Sequence, residues 1–195
     1  LRAYADSEAL KIKYNDSSIY HKNEPRGSMA KALYAIAEKI RYEKIGSDKL
    51  KGVKNNITQC YENKFKKRKE GEIKGDADVP VTEAFELYLR SHFFKIKQNK
   101  ATKKTLNYWK ELFDKNLNPK LKQLDDYIED QNAYAQLVTE LIDNLEFEDS
   151  ESKEKQEEQK SENENSSSSE KNDEESNLSQ KDEVTENSDL NISND

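Results

Sequence analysis

The residue types that most often perform chemistry are scarce in this 195-residue chain, which has two histidines and one cysteine. A zinc site requires three or four nitrogen, sulfur or oxygen ligands, and no such set is apparent around His21 or His92 in the sequence. Cys60 falls in an apolar helical stripe, where we expect a buried and unreactive thiol. A single cysteine excludes a disulfide within the chain and fits a reduced, cytoplasmic setting.

Nucleotide chemistry would require a glycine-rich phosphate loop of the form G-x-x-x-x-G-K-[ST]. The stretch from Gly46 to Gly52 comes nearest, but Val53 and Lys54 stand where the lysine and the hydroxyl residue belong. The chain is therefore not expected to hydrolyse ATP by itself.

Four carboxylates lie close together near the end of the helical region. Paired carboxylates bind hard cations, but a solvated helix face explains such a group equally well, and nothing in the sequence completes a coordination cage. We predict no catalytic, cofactor-binding or metal-binding residue in this chain. The four carboxylates belong to Asp125, Asp126, Glu129 and Asp130.

Residues 64–69 are the densest basic run of the chain. They could contact phosphate, or they could form a cationic helix end that complements the helix dipole. Residues 1–148 hold 28 Lys and Arg against 24 Asp and Glu, a net charge of only +4. Because nucleic-acid-binding domains are strongly basic, we expect no nucleic-acid partner.

The acidity of the chain resides in residues 149–195, which hold 5 basic and 16 acidic residues, a net charge of −11. This segment has no aromatic residue and contains an uninterrupted serine run at 166–169. Too little apolar surface is present to offset roughly 1–2 kcal/mol of backbone entropy per residue. We predict that residues 148–195 form a disordered acidic linker. No apolar run of the chain reaches the length of a membrane span, so we expect no membrane partner.

Residues 1–23 are interpreted as a short β-hairpin. Leu10, Ile12 and Tyr14 alternate with lysines, which is the period of a half-buried strand, and Asn15-Asp16 is a turn signal. A lone hairpin is marginal in water, so we interpret it as the remnant of a truncated N-terminal part. A chain that does not begin with methionine agrees with this expectation.

Residues 24–147 show helical periodicity that predicts about five helices. We expect the first to end at Gly46, since glycine tolerates the left-handed conformation at a helix C-terminus, and Ser47 to cap the second. Asp78 is the expected cap of the third. A polar loop over residues 98–104 should precede the fourth helix, and the fifth should be one long helix over residues 121–145. The predicted fold class is therefore mainly α, with the hairpin remnant before the helices and the acidic tail after them.

The order of these segments resembles the N-terminal region of the cobaltochelatase CobT subunit. Residues 6–10 are similar to a D-S-x-A-L element, residues 36–46 to a helix of the form (A/E)-x-x-R-x-E-x-x-G, and residues 52–57 to G-V-x-x-N-(L/I). Trp109 occupies the place of a family tryptophan, and residues 127–135 resemble an I-E-D-Q-x-A-(F/Y)-A stretch. An acidic linker follows at the same place in the family.

The resemblance implies an accessory, non-catalytic part of an ATP-dependent enzyme that inserts cobalt into a corrin ring during cobalamin biosynthesis. The implied partners are a AAA+ ATPase subunit and a large corrin-binding chelatase subunit in a hetero-oligomer. The complex would use ATP, Mg²⁺ and Co²⁺, none of which this chain is expected to bind. The family's D-x-S-x-S metal motif, part of a C-terminal von Willebrand-type domain, is not matched, since Tyr20 follows Asp16-Ser17-Ser18-Ile19 where the last serine should stand.

One alternative from a different class remains open, which is an adaptor for an orphan AAA+/von Willebrand-type pair that remodels proteins without cobalt chemistry. A second is an electrostatic binder that uses residues 64–69.

Overall fold

The computed structural model describes residues 1–67, 71, 73 and 78–145, which belong to one structural unit. These residues form eight α-helices and a short 3₁₀ turn at Asn118–Lys120, with no strand among them, so the prediction of a mainly α fold is confirmed. The predicted disordered linker lies outside the described residues. The helices are α1 Arg2–Tyr14, α2 Ser17–Asn23, α3 Ser28–Lys49, α4 Lys51–Lys66, α5 Val81–Phe94, α6 Lys100–Asn116, α7 Leu121–Asp126 and α8 Gln131–Asp143.

The predicted β-hairpin is wrong, because residues 1–23 form the helices α1 and α2. Ser7 and Leu10 are buried at a helical spacing of three, whereas Ile12 is 86% exposed. The short run of alternating residues is compatible with the period of a strand and with that of a helix. Packing against α3 favours the helix. The turn predicted at Asn15-Asp16 is present, and the Asp16 carboxylate caps α2 by accepting from the amides of Ser18 and Ile19.

Helix α3 does not end at Gly46 but continues to Lys49, and the chain then reverses at Leu50. A Cβ on Gly46 would lie 2.2 Å from Cδ2 of Leu10. Because Gly46 has no side chain, α1 can approach α3 closely at this point. The glycine therefore serves a close helix contact and not a helix end. Ser47, the predicted cap of the second helix, is buried inside α3.

Two further helix boundaries differ from the prediction. Helix α5 starts after Pro80, whose carbonyl accepts from two amides of the first turn, and Asp78 does not cap it. Most of the predicted loop at 98–104 belongs to α6. Asn99 and Thr102 form a reciprocal capping box that fixes the start of this helix at Lys100.

The predicted long last helix is divided in two. Helix α7 ends at Asp126, and the chain turns before Asp130, whose carboxylate accepts from the Ala133 amide to start α8. A second capping signal inside an apolar periodic run thus splits the helix. This division, together with the helical residues 1–23, accounts for the rise from about five predicted helices to eight.

Helix α3 is the centre of the core and packs against α1, α4, α5 and α8. Its residues Leu33, Tyr34, Ala37 and Ile40 are fully inaccessible to solvent. One continuous apolar cluster includes buried residues from every helix except α2, whose partly buried Tyr20 packs against it. Among the described helices, none is both long enough and apolar enough to cross a bilayer.

Candidate functional site

The buried charged side chains of the described region lie in two clusters. In the first, which we call the Glu43 cluster, Ser7 donates to Glu43 Oε1 at 2.6 Å and Arg90 Nη1 donates to Glu43 Oε2 at 2.8 Å. Arg90 Nε also donates to Glu86 Oε1 at 3.0 Å, and Lys64 Nζ donates to Glu86 Oε2 at 2.6 Å. The cluster therefore ties α1, α3, α4 and α5 together.

Charge balance explains how this cluster tolerates burial. The Glu43 and Arg90 side chains are 1% and 0% exposed, and two carboxylates face one guanidinium and one ammonium group. Burial opposes the charge of Arg90, but Glu43 and Glu86 outweigh it and raise the pKa of the guanidinium. Burial also works against the charge of Glu86, yet Arg90 and Lys64 hold the pKa of its carboxyl below the usual range. With two acidic and two basic side chains the cluster has no net formal charge, which offsets the cost of burying Glu43 and Arg90.

Two aromatic rings, those of Tyr61 and Phe94, lie close to the Arg90 guanidinium group. Its guanidinium carbon lies 3.2 Å from the Tyr61 ring centroid and 5.6 Å from that of Phe94. Arg90 Nη2 is buried without a hydrogen-bond partner in the described region. Stacking on the electron-rich ring faces compensates part of that cost.

The second cluster, the Gln131 cluster, is centred on the side chain of Gln131. Gln131 Nε2 donates to Glu38 Oε2 at 3.2 Å, to Asn15 Oδ1 at 3.1 Å and to the Asp16 carbonyl at 3.2 Å. Gln131 Oε1 accepts from the Asp16 amide at 2.7 Å. A single amide side chain at the start of α8 thus holds both backbone groups of Asp16, at the turn between α1 and α2.

Arg41 supports the same turn from α3. Its Nε donates to Glu38 Oε2 at 3.1 Å and its Nη2 donates to the Tyr14 carbonyl at 2.6 Å, at the end of α1. Burial raises the pKa of the Glu38 carboxyl, and the interactions with Arg41 and Gln131 only partly oppose the rise. Glu38 Oε1 is buried without a partner among the described residues. The Arg41–Glu38 pair therefore fixes the turn at an electrostatic cost.

Smaller contacts join the remaining segments. Asn56 Nδ2 of α4 donates to Asp6 Oδ2 of α1 at 2.7 Å, and Leu10 fills the space left by Gly46. Trp109 of α6 donates from Nε1 to the Val79 carbonyl at 3.0 Å. Each contact links segments that are far apart in the sequence.

An open groove of about 780 Å³ lies between the α1–α2 turn and residues 129–132. Lys49 pairs with Glu129 at 3.1 Å and lies 5.1 Å from the centroid of the Tyr14 ring, which Lys13 also approaches, at 5.2 Å. The carboxylates of Asp16 and Asp130 are used as helix caps. The groove mixes both signs of charge and has no arrangement of a nucleophile with a base.

The residues singled out from the sequence lie apart from one another. His21 makes an edge contact with Tyr20 in α2, and His92 pairs with Asp125 at 2.8 Å. The four carboxylates between residues 125 and 130 do not converge. In the part of the chain that the structure describes, no group of three or more His, Cys, Asp or Glu side chains could hold a metal ion.

Cys60 is exposed, so the prediction of a buried thiol is wrong. The buried stripe of α4 consists of Ile57, Tyr61 and Phe65, and Cys60 precedes Tyr61 by one residue, which turns it about 100° away from that position. The basic run at residues 64–69 is only partly within the described residues. There, Lys64 belongs to the Glu43 cluster and Lys66 lies near Glu62, at 4.0 Å.

The sequence contains a signal for both clusters in the spacing of its charged residues. Glu38 and Arg41 stand three residues apart, and Glu86 and Arg90 four apart, within otherwise apolar helix faces. Oppositely charged residues at these spacings are neighbours on a helix. Their position on the core face predicts buried ion pairs, although it does not identify Ser7 or Gln131 as their partners.

Together these contacts define an all-α module in which buried polar pairs tie sequence-distant segments to one another. A sequence model of the family described as cobalamin biosynthesis protein CobT matches residues 1–194. The chain belongs to the CobT family, which confirms the resemblance and places the chain in cobalamin biosynthesis. No solved structure matches the chain significantly.

Several stretches that carry the family resemblance contact one another in the fold. The D-S-x-A-L element supplies Asp6, Ser7 and Leu10, and their partners are Asn56, Glu43 and Gly46 from the other matching stretches. Glu38 of the α3 motif, which is paired with Arg41, accepts a hydrogen bond from Gln131 of the I-E-D-Q stretch. Several residues of the stretches that carry the resemblance therefore join helices of this chain to one another.

Proposed function

We propose that residues 1–145 form a non-catalytic docking module within an accessory subunit of an ATP-dependent cobaltochelatase. The proposal is supported mainly by the observation that the polar side chains of the family motifs bind one another inside the fold. Side chains used in this way stabilise a body that partners can bind, and they are not free to act on a substrate. Residues 149–195 would then be the acidic linker that follows this body.

The proposed partners are a AAA+ ATPase subunit and a large corrin-binding chelatase subunit in a cytoplasmic hetero-oligomer, without nucleic acid or membrane. ATP, Mg²⁺ and the substrate Co²⁺ would be bound by other parts of that complex. In this role the module transmits conformational change as a rigid body, since its helices are cross-linked by the Glu43 and Gln131 clusters. Cobalt insertion itself would take place on the large subunit.

The outer face of α1 is the surface we assign to partner contact. Tyr4 and Ile12 are 67% and 86% exposed there, and Leu50 at the α3–α4 turn is 55% exposed. Burying these side chains against a partner would remove apolar surface from water, and aromatic residues are enriched in protein interfaces. Ser7 and Leu10 on the opposite face of α1 fix this helix to the core, so the outer face is presented rigidly.

Co-purification of the full chain with the AAA+ and large subunits of the same organism tests the proposal. The double substitution Tyr4→Ser/Ile12→Ser should weaken binding at least tenfold and lower ATP-dependent cobalt insertion to the same extent, while the melting temperature changes little. Tyr108→Ser is the matched control, since Tyr108 is also exposed, at 41%, but lies on α6.

Two results would contradict the proposal. One is that the wild-type chain binds neither subunit. The other is that it binds the ATPase but leaves cobalt insertion unchanged when it is added or withheld, which would favour an adaptor of a protein-remodelling pair.

A further inference from the structure

The turn between α5 and α6 displays a group of lysines that the proposed function does not use. No aspartate or glutamate occurs between Glu86 and Glu111. Within this stretch four exposed lysines lie close together along the chain, and we call them the α5–α6 lysine patch. They are Lys95, Lys97, Lys100 and Lys103.

Among the described residues, these four lysines have none of the polar side-chain contacts that neighbouring lysines make. Lys104 donates to the Ile73 carbonyl, and Lys110 pairs with Asp114 on its own helix. No carboxylate of the described residues lies within 4.0 Å of an ammonium group of the patch. Lysines at i and i+3 of a helix, such as Lys100 and Lys103, are neighbours and repel each other, so an approaching anion relieves unfavourable charge.

The backbone that carries the patch is fixed. Ile96 is buried between two exposed lysines, with 5% of its surface accessible. The Asn99–Thr102 capping box sets the start of α6, and Asn99 Nδ2 also donates to the Phe65 carbonyl at the end of α4, at 3.3 Å. The charges are therefore held in place before any partner arrives, which lowers the entropic cost of binding.

Lys95 adopts a left-handed conformation with φ of 54°, the only non-glycine residue of the described region to have a positive φ. Glycine takes this position at a helix end without strain, whereas a lysine there brings its Cβ into an unfavourable contact. A strained backbone that carries a charged side chain is typical of a site in which the side chain is used.

We propose that the α5–α6 lysine patch binds a polypeptide segment rich in aspartate and glutamate, supplied by a partner protein. Charge complementarity supports this ligand, because the four lysines are exposed and have no carboxylate partner among the described residues. A nucleic acid fits less well. Residues 95–103 contain no arginine to grip phosphate in a bidentate manner and no aromatic residue on which a base could stack.

Binding of a fluorescein-labelled deca-glutamate peptide to the full chain, followed by fluorescence anisotropy, tests the proposal. The double substitution Lys97→Glu/Lys100→Glu should weaken binding at least tenfold. The matched control is Lys51→Glu/Lys54→Glu, which reverses two exposed lysines of α4 and should change the dissociation constant less than twofold.

Salt and a competing ligand complete the test. Affinity for the peptide should fall at least tenfold between 0.1 and 1 M salt, since the screening length shortens from about 10 Å to about 3 Å. The proposal is overturned if the wild-type chain does not bind the peptide at 0.1 M salt or if both double variants lose affinity equally. Tighter binding of a ten-nucleotide single strand than of the peptide would assign the patch to nucleic acid instead. None of these outcomes depends on the cobaltochelatase assay, so the two proposals can fail separately.

Discussion

Replacing Arg90 by methionine removes the cation at the centre of the Glu43 cluster while keeping a long apolar side chain against Tyr61. The Glu43 carboxylate, 1% exposed, then loses its only cationic neighbour among the described residues. Glu86 keeps Lys64. Removing one member of a buried ion pair costs about 3–5 kcal/mol, because the remaining charge stays buried without compensation. We expect a loss of that size in the free energy of unfolding, which lowers the melting temperature by roughly 10 °C in a chain of this length.

Urea denaturation followed by circular dichroism at neutral pH measures this loss. Lys64→Met is the matched control in the same cluster. The Lys64 side chain is 55% exposed, and exposed pairs contribute about 0.2–1 kcal/mol. Glu43→Gln/Arg90→Met removes both buried charges and should be more stable than the sum of the two single variants predicts, by at least about 1 kcal/mol.

The reasoning is refuted if Arg90→Met costs no more than Lys64→Met. It is also refuted if the two substitutions at Glu43 and Arg90 are additive, because additivity would mean that the charges do not interact.

Two further predictions concern glycine positions and acid stability. Gly46→Ala should destabilise the fold by about 1–2 kcal/mol, since the added Cβ overlaps Leu10. Gly52→Ala is the control: the space around this residue of α4 is open, so the substitution should stabilise the fold by up to about 1 kcal/mol. Equal shifts of the urea midpoint in the two variants would contradict this reasoning. The pKa of Glu86 is lowered in the fold, so its contribution to stability is present above the ordinary value of 4.5 and is lost as pH falls below it. Glu38 has a raised pKa, so its contribution has the opposite sign: it is present at low pH and is lost as pH rises through the folded value. In melting temperatures recorded from pH 7 to pH 3, Glu86→Gln should therefore lose less stability on acidification than the wild type and Glu38→Gln should lose more, and the same slope in both variants would contradict the assignment.

The helical periodicity of the sequence was sufficient to predict α3, α4 and α5, because each has a long apolar stripe at spacings of three and four. It failed for α1, where a short run of alternating residues fits a strand as well as a helix. What distinguishes the two is that Ser7 and Leu10 have partners on α3, at Glu43 and Gly46. That information is long-range and is absent from any local window.

The predicted helix boundaries were wrong for a related reason. Gly46 is a good helix end by local propensity, yet Leu10 requires a residue without a side chain at that point on α3. Asp130 looks like one more carboxylate on a solvated face, yet its carboxylate accepts from the Ala133 amide and begins a new helix. In both positions a residue type had two physical uses: a tertiary contact with Leu10 selected the less obvious one at Gly46, and a local cap selected it at Asp130.

The candidate site shows the same division between what is local and what is long-range. Spacings within one helix could indicate Glu38 with Arg41 and Glu86 with Arg90 as ion pairs. The partners across the fold, Gln131 and Glu43, are provided by helices that are distant in sequence, so no spacing reveals them.

The placement of these pairs has a mechanical consequence for the module. A residue on α1 is hydrogen-bonded to α3, the α1–α2 turn is held by Gln131 of α8, and α5 is joined to α3 through Arg90. Hydrogen bonds and ion pairs require a particular geometry, and a partly broken buried network is costly, so helices joined in this way resist sliding past one another. If a partner binds Tyr4 and Ile12 on the outer face of α1 as proposed, its force reaches α3 through Ser7 and α8 through the turn at Asp16 without the helices moving past one another. A subunit that relays motion needs this property more than it needs a reactive side chain.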